Sequence, residues 1–270
     1  MTESNGKIRV VVVGAKGRMG REVVKTVLND PQLELAGAVD RTLHQVDVGS
    51  VLGLGDIGVP FANRLGECLV QSNADVMIDF TNPAAVRDNV YTALEYGVRP
   101  VVGTTGMSQD DLLAWDRILR EKGIGGIVAP NFAIGAILMM KFAAMAARYL
   151  PHVEIIELHH DQKLDAPSGT ALKTAEMIAA ERQSVRQGHP DEEEKLAGAR
   201  GADFDGMRIH SVRLPGYVAH QEVIFGGVGQ TLTIRHDSIS RESFMPGVAL
   251  AAKKVMELTG LVYGLEHLMF

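Results

Sequence analysis

The stretch Lys7-Ile8-Arg9-Val10-Val11-Val12-Val13-Gly14-Ala15-Lys16-Gly17-Arg18-Met19-Gly20 decides the fold. Its first half is a continuous β-branched run rather than an alternation, which reads as a strand buried on both faces, as in a parallel sheet. Its second half is a glycine turn, and Arg21 to Leu28 behind it carries helical spacing. Strand, glycine turn and helix in that order make the frame of a dinucleotide fingerprint, in which glycines bring a helix N-terminus against a pyrophosphate. The spacing is G-x-x-G-x-x-G, a variant of the usual G-x-G-x-x-G, and taken alone it is a weak signal. The next strand, Leu33 to Val39, ends in Asp40, which lies where an acidic residue bonds the adenosine ribose hydroxyls. Arg41 beside it, and Lys16 inside the turn, could pair with a 2′-phosphate. An isolated Asp40 would be an ordinary strand-closing residue; in register with strand, turn and helix it favours dinucleotide binding.

The alternation continues outward. Ala74–Phe80, Pro100–Val102 and Gly126–Ala129 read as strands, with helices over Ala84–Tyr96 and Ser108–Lys122. Ligands of open α/β sheets bind outside the carboxyl ends of the strands. Phe80, Gly103, Thr104, Thr105 and the turn Ala129-Pro130-Asn131-Phe132 are therefore expected around the nicotinamide end. The pattern predicts a Rossmann-like parallel sheet domain over 1–131 and 240–270.

A second dense stretch is Glu157-Leu158-His159-His160-Asp161-Gln162-Lys163-Leu164-Asp165-Ala166-Pro167-Ser168-Gly169-Thr170-Ala171. A strand over Val153–Leu158 runs into a charged loop and then a helix from Thr170. Backbone N–H groups at Gly169 and Thr170, at the helix start, attract anions. With two histidines and a lysine beside them, they suggest a site for a small carboxylate. Each feature alone is an unremarkable polar residue or cap; their concentration points to a site. Side chains alternate along a strand, so His159 and His160 share a pocket only if the strand ends there. Before this stretch, Ala133–Leu150 is a helix apolar on most faces, expected between domains or subunits. After it, 182–206 reads as a solvated, mobile loop. Strands over Arg208–Leu214, Val218–Phe225 and Gln230–His236 complete an antiparallel or mixed sheet. The expected α+β substrate and oligomerisation domain spans 132–239. His210, His220 and His236 are scattered along these strands without cysteine partners, so no metal site is expected.

Composition sets outer limits. The 270 residues carry a net charge of −6, which argues against nucleic acid as a partner. One cysteine, Cys68, excludes a disulfide framework and fits a reducing cytoplasm. Gly123–Met140, the longest weakly charged stretch, is broken by Pro130 and Asn131, so no membrane span is expected.

Three blocks together resemble one family, the 4-hydroxy-tetrahydrodipicolinate (dihydrodipicolinate) reductases of the diaminopimelate and lysine pathway. They are Gly14–Gly20, Asp79-Phe80-Thr81 with Gly103-Thr104-Thr105-Gly106, and Glu157–Ala171, which matches every fixed position of E-x-H-H-x-x-K-x-D-A-P-S-G-T-A. The resemblance implies NADH- or NADPH-dependent reduction of a ring dicarboxylate with loss of water, by a homotetramer. It implies His159 as acid/base, Lys163 as proton donor, His160 as a substrate-binding residue, and Gly169 and Thr170 as the turn holding a substrate carboxylate. For the cofactor it implies contacts from Gly14, Ala15, Lys16, Gly17, Arg18, Met19, Asp40, Arg41, Gly103, Thr104, Thr105, Ala129, Pro130, Asn131 and Phe132. Asp40-Arg41 joins an acid to a base, so use of both cofactors is expected. Two other readings compete with this one. A small-acid or semialdehyde dehydrogenase would account for the glycine turn but not for the His-His-Lys and Ser-Gly-Thr block. A dinucleotide-sensing regulator would need a basic DNA-binding element, and none is evident.

Overall fold

The computed structural model describes residues 6–270. Its first part alternates regularly: β1 (Ile8–Val13), α1 (Arg18–Asn29), β2 (Leu33–Val39), α2 (Val48–Leu52), β3 (Phe61–Ala62), α3 (Leu65–Ser72), β4 (Val76–Asp79), α4 (Pro83–Glu95), β5 (Arg99–Val102), α5 (Gln109–Lys122) and β6 (Gly125–Val128). The second part contains α6 (Ile134–Ala147), β7 (His152–His159), α7 (Gly169–Glu181), β8 (Ala202–Phe204), β9 (Met207–Arg213), β10 (Ala219–Gly227) and β11 (Gln230–Ser238). The chain closes with α8 (Met245–Lys254) and β12 (Gly260–Tyr263). It divides into two units: residues up to Phe132 with Phe244–Phe270, and Ala133–Ser243.

In the first unit seven parallel strands lie in the order β12-β6-β5-β4-β1-β2-β3. Val11, Val13, Met77, Val102 and Val128 share a core with residues of α3, α4 and α5, among them Trp115. The alternating partners Val10, Val12, Ile78, Val101 and Ile127 are equally buried. They face the opposite side, where α1 and α8 pack. This two-sided burial is why the strands read as apolar runs. Local signals set the helix ends. Asn82 caps α4 ahead of Pro83, and Ser108 with Asp111 forms a capping box at α5, which Gly123 terminates in the left-handed region.

The second unit is a five-stranded mixed sheet, β11-β10-β7-β9-β8, in which only β7 and β9 are parallel. Val153, Ile155, Met207, Ile209, Val223 and Phe225 are buried on the face that α6 and α7 cover. Phe142 and Met145 of the apolar helix α6 are exposed. The polar segment after α7 is mostly exposed but tethered. Arg200 pairs with Glu154 at 2.6 Å and with Glu192 at 2.9 Å, and buried Arg182 donates to the carbonyls of Pro151 and Asp205. Relative to the division expected from sequence, Phe132 and residues 240–243 change sides. The Phe132 ring packs 5.7 Å from Phe80 in the first unit, and Ser243 donates to Ser238 at 3.1 Å in the second.

Candidate active site

In the first unit the sheet's topological switch lies between β1 and β4, where the chain leaves β1 toward β2 on one side and β4 sits on the other. Gly14 follows β1 with φ +77°, and a Cβ there would lie 2.8 Å from the carbonyl oxygen of Phe80. A Cβ on Gly20 would come within 2.1 Å of the Gly14 carbonyl oxygen, so α1 can approach the turn only with glycine. Gly17 is the N-cap of α1, and no side chain caps that end. Its orphan N–H groups and positive dipole are suited to a pyrophosphate. Lys16, Gly17 and Arg18 are exposed, Met19 is half-buried, and Ala15 is fully buried.

A cavity of about 480 Å³ opens beside this turn, lined by Gly14, Gly17, Asp40, Arg41 and Thr42 on one side and by Phe80 and Thr81 on the other. One Asp40 oxygen, Oδ1, accepts from the Thr42 N–H at 3.0 Å and its hydroxyl at 2.7 Å, and Lys16 reaches the same hydroxyl at 3.3 Å. Those bonds orient the carboxylate. A second cavity, of about 300 Å³, is lined by Met19, Phe80, Thr81, Gly103, Thr104 and Thr105. The two share Phe80, Thr81 and Asn82, so together they fit the two halves of a dinucleotide. Ala129 and Phe132 are buried, leaving Pro130 exposed and Asn131 half-buried in that turn.

A buried carboxylate, Asp79, holds the loops of this second cavity together. Its Oδ1 accepts from the Thr81 N–H at 3.0 Å, the Thr81 hydroxyl at 2.8 Å and the Thr104 hydroxyl at 2.8 Å. Its Oδ2 accepts from Asn89 at 2.8 Å. The Thr104 hydroxyl thus donates to Asp79 and also accepts from the Thr81 N–H at 2.9 Å. Gly103 lies against the Phe80 ring, where a Cβ would stand 2.1 Å from a ring carbon.

In the second unit the strand β7 ends at His159, and His160 is the first loop residue. His159 therefore shares a face with Glu157, Ile155 and Val153, while the His160 side chain is exposed. Glu157 is fully buried. Its carboxylate meets His159 Nδ1 at 2.5 Å, both terminal nitrogens of Arg213 at 2.8 Å, and the Ser168 N–H at 3.2 Å. Burial pushes the Glu157 carboxyl up, but the bonds from His159, Arg213 and Ser211 outweigh it and hold the pKa down at about 2.

Arg213 also donates to the Asp165 carbonyl at 2.7 Å, and the Asp165 carboxylate receives Lys163 Nζ at 2.7 and 2.9 Å. Lys163 turns back onto the His160 carbonyl through its own N–H at 3.2 Å. Ser168 caps α7 by accepting from Ala171 N–H at 3.2 Å. Gly169 is exposed with nothing near its missing Cβ, and Thr170 beside it is half-buried. One carboxylate thus ties together His159, the lysine loop and the helix turn. The sequence reading gave no role to Glu157 and did not single out Arg213. A carboxylate on the apolar face of a strand was the available signal for the first. His210, His220 and His236 stand apart: His210 pairs with Glu154, His220 with Asp237, and His236 lies against Gly135. Among the described residues no three His, Cys, Asp or Glu side chains gather as metal ligands.

Comparison with known proteins decides the family. Residues 8–132 match the description "Dihydrodipicolinate reductase, N-terminus" and residues 135–269 match "Dihydrodipicolinate reductase, C-terminus". The chain belongs to the dihydrodipicolinate reductase family. It is 57% identical to the 4-hydroxy-tetrahydrodipicolinate reductase of Geobacillus kaustophilus over 97% of this chain and 99% of that one. It is 59% identical to the reductase of Halalkalibacterium halodurans over 97% and 99%. A solved dihydrodipicolinate reductase of a Paenisporosarcina species, described as dipicolinate-bound, superposes with a TM-score of 0.86 at 51% identity, covering 97% and 99%. An amine dehydrogenase of Mycobacterium smegmatis, at 15% identity and a TM-score of 0.67, shares the fold alone. As a dihydrodipicolinate reductase, the chain is a nicotinamide-dependent oxidoreductase that reduces 4-hydroxy-tetrahydrodipicolinate in diaminopimelate and lysine biosynthesis. Among the described residues no helix is long and apolar enough to cross a membrane.

Proposed function

We propose that the reaction is carried by the Glu157-anchored cluster of the second unit, with His159 and Lys163 managing the proton. The carrying observation is that one buried carboxylate fixes His159, the Lys163 loop and the N-terminus of α7 together. The substrate is a ring dicarboxylate, in keeping with the dipicolinate carried by the Paenisporosarcina relative. A dicarboxylate leaving water needs donors for each charge. The exposed turn at Gly169 and Thr170 offers backbone N–H groups at a helix N-terminus for one carboxylate. His160, exposed on the same loop, contributes to binding. The Lys163 ammonium is held by Asp165, and an entering carboxylate or ring nitrogen competes with that partner for it. Lys163 then serves as proton donor to the substrate, and His159 as the acid–base group beside it.

When bound, the nicotinamide supplies the hydride. Gly14, Gly17 and Arg18 would hold its pyrophosphate, Asp40 its adenosine ribose, and Thr81, Gly103 and Thr105 its nicotinamide half. Arg41 and Lys16 would meet a 2′-phosphate while the Asp40 carboxylate repels it, so both NADH and NADPH serve. The outer face of the five-stranded sheet, which carries half-buried Ile156, Leu158 and Ile224, joins copies of the chain through residues 207–236 into a homotetramer. The test is a coupled assay: condense aspartate semialdehyde with pyruvate using the matching synthase, add this protein, and follow loss of NADH or NADPH. Turnover with both cofactors, and a raised KM with little change in kcat for His160→Ala, are expected. Turnover with one cofactor alone would refute the dual assignment of Asp40 and Arg41.

A further inference from the structure

Acid–base work at His159 needs one ring nitrogen free for substrate, and the contacts of Glu157 determine which. We infer that Glu157 is a positioning residue that holds His159 through Nδ1–H and presents Nε2 as the proton-exchanging atom, with Arg213 clamping the carboxylate. This rests on the role of His159 proposed above.

The inference follows from who can donate. An ionised carboxylate only accepts hydrogen bonds. Arg213 meets it with two guanidinium N–H groups, and Ser168 with a backbone N–H, all obligate donors. The 2.5 Å contact from His159 Nδ1 must therefore carry its hydrogen on the ring. A neutral imidazole protonated at Nδ1 has a bare Nε2, and the imidazolium has N–H at both. In either state the proton is gained or lost at Nε2. The carboxylate cannot swing away to allow the other tautomer. It is fully buried, and the clamp comes from β9, whose parallel pairing sets His159 opposite Arg213 and Glu157 opposite Ser211.

Arg213 also fixes the carboxylate itself: the guanidinium bonds both oxygens, so the group that orients the ring is held in place. The other elements add no competing charge at the carboxylate. From β10 the residue opposite Glu157 is the neutral Gln221, from α7 it is the cap Ser168, and in the loop Lys163 and Asp165 are paired with each other.

The experiment uses the full-length chain, labelled with 15N-histidine and bound to NADH, observed by NMR across pH. A His159→Gln variant identifies the His159 signals. The expected result above the ring's titration is a protonated Nδ1 and a bare Nε2; a dominant Nε2–H form overturns the inference whatever the kinetics. Glu157→Gln is measured in parallel with Glu157→Gln/Arg213→Met, which removes the stranded cation should the single variant fold poorly. In both, kcat should fall roughly 10²-fold or more, KM and NADH affinity should change less than about threefold, and the His159 signals should lose their fixed tautomer. Unchanged kcat together with an unchanged Nδ1–H tautomer in the double variant would reduce Glu157 to a folding element and overturn the inference. A His159→Ala enzyme with unchanged kcat would instead contradict the acid–base role of His159, and the tautomer spectrum tells the two failures apart.

Discussion

Replacing Asp79 separates the parts of the cofactor site that are held by charge from those held by shape. Asp79 is fully buried; three of its four bonds come from Thr81 and Thr104, which line the second cavity, and the fourth from Asn89, which lines the first. In Asp79→Asn one oxygen still accepts the three bonds from Thr81 and Thr104. The new amide then faces the Asn89 amide, which can turn over and accept. What is lost is charge assistance, about 1 kcal/mol for each of three bonds. Part of this is regained because a neutral amide is less costly to bury, leaving a loss of about 2 kcal/mol. In Asp79→Ala the threonine hydroxyls can rotate to other acceptors, but the Asn89 amide loses its partner and a cavity opens, so about 3–4 kcal/mol should be lost. The chain has one tryptophan, Trp115, fully buried in the core of the same unit, so its fluorescence in urea reports this unit directly. NADH affinity should fall roughly tenfold in the alanine variant, which is about 1.4 kcal/mol of lost loop order. An alanine variant within about 1 kcal/mol of wild type, with unchanged NADH affinity, would refute the claim that Asp79 holds these loops.

Other outcomes follow from the same contacts. Glu157 has its carboxyl held at about 2 against an ordinary value of 4.5, so its stabilising contribution is complete above about 4.5 and is lost as pH falls toward 2. The gap is worth about 3 kcal/mol, and Glu157→Gln should flatten that acid limb in urea melts followed by circular dichroism; an identical acid limb would contradict the assignment. Asp40→Ala should shift preference toward NADPH in steady-state assays, and a shift toward NADH would remove Asp40 from the ribose. Light scattering at micromolar concentration should give the mass of four chains, and a stable monomer would remove the sheet face as an interface.

Much of the fold was legible because burial on both faces leaves a pattern that needs no long-range knowledge. Val10–Val13, Met77–Ile78 and Val101–Val102 are apolar runs because helices cover both sides of their sheet. The short elements were not legible. β3 is two residues long, α2 is five, and β12 joins the sheet only by pairing with β6, about 135 residues earlier in the chain. α1 begins at Arg18 rather than Arg21, since Gly20 sits in the helix for close packing on Gly14, not as part of the turn. At the candidate site the local motif marked 157–171, but Arg213 lies 56 residues away and reaches Glu157 only through the β7–β9 pairing. A single sequence contains no register for two strands so far apart. The segment after α7 looked unattached for the same reason: its anchors, Arg200 to Glu154 and Arg182 to Pro151, are non-local.

The measurement that bears most directly on the proposed site is kcat of Lys163→Ala beside His159→Ala, with NADH binding followed in parallel by fluorescence titration. If these side chains manage the proton, and the first unit binds the nucleotide as proposed, kcat falls by roughly 10²–10⁴-fold in each while NADH affinity is retained. A Lys163→Ala enzyme with wild-type kcat and a raised KM would contradict the account, leaving the lysine a carboxylate anchor.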